Sequence, residues 1–312
     1  MEPDHERAAG LLKDAGKVVV FTGAGMSKDS GIDTFRGPGG IWERFSADDL
    51  ATYEGFIRDP AKVWMWNEAR RQQVASITPH AGYEALAEME DLFPQVVTVT
   101  QNIDGLHARS GASRVVELHG NIWKVRCDAE DSEPWLDERT EFPEYPLRCE
   151  RCGGLLRPHI VWFGEPLDRR DVLEATLAVE ECDAILVVGT SAVVYPAAAL
   201  PMQARQRGAL VIEVNIEPTP VTGYADVSLF GKAEEVLPAL VSAFCLTAAV
   251  SFDEFLVAWF ISGLNRTVPG MILEILQGNV DPQINAIGTV VFLTSMALVI
   301  VAQLLIVRRS AR

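Results

Sequence analysis

Over its first 240 residues the chain alternates two kinds of segment. Short β-branched runs, "KVVVFT" from Lys17, "VVTVTQN" from Val96, "AILVVGTS" from Ala184 and "LVIEVN" from Leu210, stay largely apolar until small or polar residues end them. Longer helix-patterned stretches separate them. Strands apolar on both faces belong to a parallel sheet covered by helices on each side. The pattern therefore predicts an α/β, doubly wound, Rossmann-like domain whose ligand sits at the carboxyl ends of the strands. Past residue 240 the pattern changes. "AIGTVVFLTSMALVIVAQLLIV", Ala286 to Val307, is 22 residues without a charge and is followed by "RRSAR", the length and flank of a membrane-spanning helix. A second stretch, "LVSAFCLTAAVSFDEFLVAWFIS", contains Asp253 and Glu254, which are costly in lipid. An all-α hydrophobic tail over 241–312, with one or two transmembrane helices, is expected. No repeat or low-complexity linker divides the two parts.

The formal charge of −16 and pI near 4.8 argue against a protein that wraps nucleic acid. From Cys245 onward four basic residues (Arg266, Arg308, Arg309, Arg312) balance four acidic ones (Asp253, Glu254, Glu274, Asp281), so the first 244 residues carry the whole excess. Five cysteines are no disulfide framework, but Cys127, Cys149 and Cys152 lie close together and suggest metal in a reducing compartment. The polar start "MEPDHERAAG" gives no sign of a signal peptide, so a cytoplasmic setting is expected.

The first run leads into "GAGMSKDSGIDTFRG". Gly23 and Gly25 suit close approach of backbone to a pyrophosphate, with the following amides as donors, yet the third glycine of the dinucleotide fingerprint is missing. "SGIDTFRGPGGIW" is too polar and glycine-rich for a helix interior and reads as a loop folding over a ligand. "TQNIDGLHARSG" ends a strand with Gln101, Asn102 and Asp104. "ELHGN" places His119 between strand and loop.

Together with Asp33, Arg36, "GTSAVVYPA" and "EVNIEP", these motifs resemble, in order from about Lys17 to Ala239, the sirtuins, the NAD-dependent protein-lysine deacylases. The resemblance implies a domain over about 1–240 with a zinc-module insertion near 122–158, and acylated-lysine proteins as partners. It implies that Gly23, Ala24, Gly25 and Ser27 hold the diphosphate and nearby ribose, and that Asp33, Phe35 and Arg36 form a cofactor loop. Gln101, Asn102, Ile103 and Asp104 would line the nicotinamide pocket. Gly189, Thr190, Ser191, Asn215, Glu217, Lys232 and Ala233 would take the adenosine end. In that family the acyl-lysine amide oxygen displaces nicotinamide from its ribose, and a neutral imidazole, here His119, accepts a ribose hydroxyl proton. Asn102 and Asp104 are the other expected catalytic residues. NAD is then consumed. "VWFGEPL" resembles the substrate cleft, with Val161, Trp162, Phe163 and Gly164 pairing with an acyl-lysine peptide.

Three departures stand out. The first cysteine pair of the zinc module reads "CDAE", so Cys127, Cys149 and Cys152 need Glu130 or Asp128 as a fourth ligand, or else the module holds by packing alone. In "VWMWNEARR", Arg70 matches an arginine that meets acidic acyl groups, while Asn67 stands where a tyrosine is expected; succinyl-lysine activity is an open expectation. Finally, "LPALVSAF", "SFDEF", "TVPGMI" and "VDPQINAIGT" in about 237–312 resemble the last two spans of a spermidine/putrescine-type ABC importer permease, without its coupling loop. Alternative readings are a membrane-anchored NAD or ADP-ribose-binding module without turnover, or a fragment of a polyamine transporter.

Overall fold

The computed structural model describes residues 3–35, 39–130 and 132–261. Nine strands occur among them: β1 (Lys17–Thr22), β2 (Gln95–Thr100), β3 (Val115–Glu117), β4 (Gly120–Cys127), β5 (Trp135–Leu136), β6 (Leu156–Ile160), β7 (Ala184–Val188), β8 (Leu210–Asn215) and β9 (Val227–Phe230). Six form one sheet in the order β3-β2-β1-β7-β8-β9, and every neighbouring pair runs parallel. Numbered by appearance within that sheet, the order is 3-2-1-4-5-6, the doubly wound Rossmann arrangement, and it reverses between β1 and β7.

The expected apolar runs sit at the centre. β1 and β2 are buried from their second residue on, and β7 along its whole length. Val19, Phe21, Val97, Val99, Ile185, Val187 and Val211 form one face of the core with Ala175 and Val179 of the helix Arg169–Glu181. Burial of each such large side chain contributes about 1.5–3 kcal/mol. The two short edge strands, β3 and β9, are absent from the sequence expectation.

A second, antiparallel sheet, β5-β4-β6, carries the cysteine module. Gly120 opens β4 at φ +77, and a Cβ there would lie 2.1 Å from the His159 oxygen, so only glycine lets β4 meet β6. The helix Pro60–Ala75 starts with Asp59 accepting from the Lys62 amide at 2.9 Å and Pro60 in its first turn. Its buried stripe is Val63, Trp64, Asn67, Arg70, Arg71 and Val74, a helical repeat that includes three polar side chains. Trp64 joins Val125, Phe142, Leu156 and Trp162 in a core of its own.

The chain divides into two compact units. One is Ala15–Pro238 and holds both sheets. The other combines the first 14 residues with the chain from Ala239, and its described parts are the helix Pro3–Leu12 and the later turns of the helix Ala233–Ile261. Among the described residues no helix is long and apolar enough to cross a membrane. The run Ala286 to Val307 lies outside the described residues.

Candidate active site

A cavity of about 620 Å³ opens where the sheet order reverses, beyond the ends of β1 and β7. Its walls include the turns Gly23–Gly25 and Gly189–Ser191, the strand ends at Gln101–Ile103 and Val214–Glu217, and His119 with the segment Val161–Glu165. The two glycine turns close on each other. The Gly25 amide donates to Gly189 O at 2.7 Å and the Gly23 amide to Val188 O at 3.1 Å. A Cβ on Gly25 would lie 2.7 Å from Gly189 O, and one on Gly189, at φ +58, 2.3 Å from the Met26 nitrogen. This narrows the donors that the turn can offer. The amides of Met26 and Ser27 are also bonded inside the protein, to Gly23 O and Ala24 O, so they are not free for a phosphate. The glycines serve the mutual approach of two turns, and the Ala24 amide is the one donor of the Gly23–Ser27 stretch without a partner among the described residues.

His119 has its Nδ1 2.9 Å from Gln101 O. The carbonyl can only accept, so Nδ1 carries the hydrogen and Nε2 is left with its lone pair. Burial pushes the imidazole below its ordinary pKa, against the weaker pull of the Gln101 carbonyl. The ring is therefore neutral at pH 7 and able to accept a proton. The His119 carbonyl accepts from the Val161 amide at 2.9 Å, which ties this residue to the segment expected to bind peptide.

Asn102 lines the cavity, and its Nδ2 donates to Gly23 O at 2.9 Å and Ser27 Oγ at 3.0 Å. Gln101 Nε2 donates to Thr190 Oγ1 at 3.0 Å, linking the ends of β2 and β7. Asp104 and Ser27 do not line the cavity. Ser27 is buried beneath Asn102 and donates to Asp104 Oδ2 at 2.7 Å; Asp104 Oδ1 accepts from the Leu106 amide at 2.9 Å. Burial raises the Asp104 carboxyl pKa, opposed by those two hydrogen bonds. Both residues act behind the wall, not on it.

The sequence of the glycine turn and cavity decides the family. The Sir2 family profile matches residues 23–196. The chain belongs to the Sir2 family. An NAD-dependent protein deacylase 2 from Pyrobaculum aerophilum is 50% identical over 233 residues, covering 75% of this chain and 93% of the relative. The NAD-dependent protein deacylase of Aquifex aeolicus is 50% identical over 216 residues, 69% of this chain and 90% of its own. A solved Sir2 homologue in complex with NAD has a TM-score of 0.73 at 42% identity, covering 78% of this chain and 94% of that one.

Of the other residues expected in this Sir2 site, Gly23, Ala24, Phe35, Gln101, Ile103, Gly189, Thr190, Ser191, Asn215, Glu217, Lys232 and Ala233 all line the cavity, as do Val161, Trp162, Phe163 and Gly164. Asp33 does not: it is exposed and pairs with Arg44. Arg36 lies outside the described residues. Asn67 is fully buried and does not line the cavity; its Nδ2 donates back to Val63 O at 2.8 Å. Arg70 is buried behind the wall, its guanidinium 5.0 Å from the Phe35 ring centre and 5.1 Å from that of Trp66, and it has no ion-pair partner among the described residues. Burial lowers its pKa to about 10, against the pull of the Asp104 and Asp33 carboxylates.

Sequence reasoning overlooked Trp42 and Trp66, which line the cavity and lie 6.0 Å apart, and Tyr83, whose hydroxyl is 2.9 Å from Ser27 Oγ. The run "WMWN" contains Trp66; nothing local signals Trp42 or Tyr83.

The metal donors also come together. One ligand atom from each of Cys127, Glu130, Cys149 and Cys152 lies within 4.8 Å of the others, and the sulfurs of Cys127 and Cys152 are 3.4 Å apart. Tetrahedral zinc at about 2.3 Å from sulfur needs donors about 3.8 Å apart, so this three-sulfur, one-carboxylate set can hold one zinc ion. Glu130 also pairs with Arg151. Asp128, the other candidate, is outside the cluster and accepts from the Tyr53 hydroxyl at 3.0 Å.

Proposed function

We infer that this chain is an NAD-dependent protein-lysine deacylase. The observation that carries the reading is a neutral His119, its Nδ1 committed to Gln101 O, on the wall of a cavity it shares with Asn102 and the two glycine turns. Gly23–Gly25 and Gly189–Ser191 would hold the diphosphate and ribose, and Asn215, Glu217, Lys232 and Ala233 the adenosine end. NAD supplies a ribose carbon made reactive by nicotinamide as a leaving group. His119 Nε2 takes the proton of a ribose hydroxyl, and Asn102 orients the ribose. Trp162, Phe163 and Gly164 would pair with the backbone of an acylated protein. Cys127, Cys149, Cys152 and Glu130 would hold a structural zinc remote from the chemistry. Thiols kept reduced and the use of NAD favour the cytoplasm.

For the acyl group, Arg70 is the distinguishing feature. A buried guanidinium with no ion-pair partner among the described residues, behind Phe35 and Trp66, favours an acyl chain ending in an anion, and succinyl-lysine is the substrate this supports. For the tail, the permease resemblance over about 237–312 and membrane attachment over 241–312 rest on sequence. The catalytic reading to about residue 240 does not depend on them.

The full chain, NAD and matched peptides bearing acetyl- or succinyl-lysine test both readings, with nicotinamide and O-acyl-ADP-ribose followed by mass spectrometry. Turnover abolished by His119→Ala is expected, with succinyl removal falling at least about tenfold in Arg70→Met. NAD binding without turnover would assign the fold to a sensor. Unchanged desuccinylation in Arg70→Met would remove Arg70 from the acyl pocket.

A further inference from the structure

We propose that Tyr83 is a positioning residue for the ribose end of the cavity, acting through Ser27 to fix Asn102 with its amide oxygen toward the ligand; this rests on the deacylase reading above. Tyr83 is 1% exposed on the helix Ala81–Leu92, far in sequence from the residues it meets. Its ring lies 5.0 Å from that of His80 and 4.8 Å from that of His107. The helix is tied to the glycine turn by His80, whose Nε2 donates to Met26 O at 2.7 Å while Nδ1 accepts from the Gly82 amide at 2.9 Å.

The geometry leaves one hydrogen-bond assignment. A serine hydroxyl offers one hydrogen and two lone pairs. The hydrogen of Ser27 goes to Asp104 Oδ2 at 2.7 Å, and one lone pair accepts from Asn102 Nδ2 at 3.0 Å. Tyr83, at 2.9 Å, must then be the donor that fills the second. Ser27 is saturated and has nothing left for a ligand. The same counting applies to Asn102. Both hydrogens of its amide are engaged, by Gly23 O and Ser27 Oγ, so only Oδ1 is left to face the cavity it lines. Asn102 therefore presents an acceptor alone and selects a donor from its ligand, as a ribose hydroxyl provides.

Removing the Tyr83 hydroxyl opens a lone pair on Ser27 and frees that hydroxyl to turn. The partner that keeps Asn102 in place is then no longer fixed. The wild-type chain is first titrated with ADP-ribose by calorimetry. Tyr83→Phe is expected to weaken ADP-ribose binding about tenfold and to leave the peptide KM unchanged. In a Ser27→Ala background the same change should add less than about twofold, because its route is already cut. A merely structural role would lower the folded fraction and move neither Kd nor this coupling. Wild-type affinity in Tyr83→Phe, or the full tenfold loss repeated in the Ser27→Ala background, overturns the proposal. Should Tyr83→Phe not fold, Ser27→Ala alone decides, since unchanged ADP-ribose affinity there removes the route. A folded wild type that fails to bind ADP-ribose sinks the deacylase reading and this proposal together. Wild-type binding with no Tyr83 effect sinks only the latter.

Discussion

Glu165→Gln is the change that most directly probes how the peptide segment is held. Arg157 is buried, with a side-chain exposure of 2%, and Glu165 meets it through two hydrogen bonds of 2.6 and 2.8 Å. The guanidinium also lies 3.7 Å from the Trp162 ring centre. Glu165 Oε2 accepts a second donor, the Trp162 amide at 2.9 Å, and so folds the segment back on itself. Val161 and Phe163 are fixed at the same time by their amides, to His119 O and Ala51 O, each at 2.9 Å. Glutamine keeps the shape but loses the charge and replaces one accepting oxygen with a donor. That leaves the buried cation only the more distant Asp128 carboxylate, 3.9 Å away, and one accepting oxygen fewer for the guanidinium and the Trp162 amide. Losing one partner of a buried pair costs about 3–5 kcal/mol, and the lower end applies because Glu165 retains 19% side-chain exposure. The expected result is a urea midpoint corresponding to about 3 kcal/mol less stability and a peptide KM raised about tenfold or more. ADP-ribose affinity should change less than about twofold, since neither glycine turn bonds to Glu165. Stability within about 1 kcal/mol of wild type, together with an unchanged peptide KM, would refute the reasoning.

Acid should destabilise the chain through His107. Burial, with a smaller contribution from His80, pushes this imidazole down to about 3. Unfolded, it titrates near pH 6.5, so below that pH the unfolded chain binds a proton that the folded one refuses. Stability present above pH 6.5 is lost progressively toward pH 3, about 2 kcal/mol of it by pH 5. Urea midpoints at pH 8 and pH 5 should fall further in wild type than in His107→Gln, and parallel falls would contradict this. One zinc per chain is expected by elemental analysis, and a strong chelator should strip it faster from wild type than from Glu130→Cys, whose fourth ligand is a thiolate. Folded protein purified with zinc present yet free of it would show that the module holds by packing alone.

Much of this protein was legible in the sequence because it is local. β1 and β8 coincide with the apolar runs read for them, while β2 and β7 end before the runs read over them do, where Gln101 and Gly189 leave the sheet. β3 and β9, of three and four residues, are too short to show a period and exist only because β2 and β8 offer them an edge. His119 stood out because it follows a strand among polar turn residues. Asn67 and Arg70 carried the right residue types, but the helix phase that turns one back on Val63 and stacks the other behind Phe35 depends on packing against β4 and β6. Tyr83 and Ser27 are 56 positions apart, and no local pattern joins them. Periodicity thus determined the longer strands and local motifs the glycine turns, while the resemblance to a family, not composition, marked His119 as the expected base. Which of those residues touch a ligand, and which only support one that does, was decided by the sheet order. The reason is physical: a hydroxyl or an amide has a fixed number of hydrogen bonds to give, and only the folded neighbours determine which are already spent.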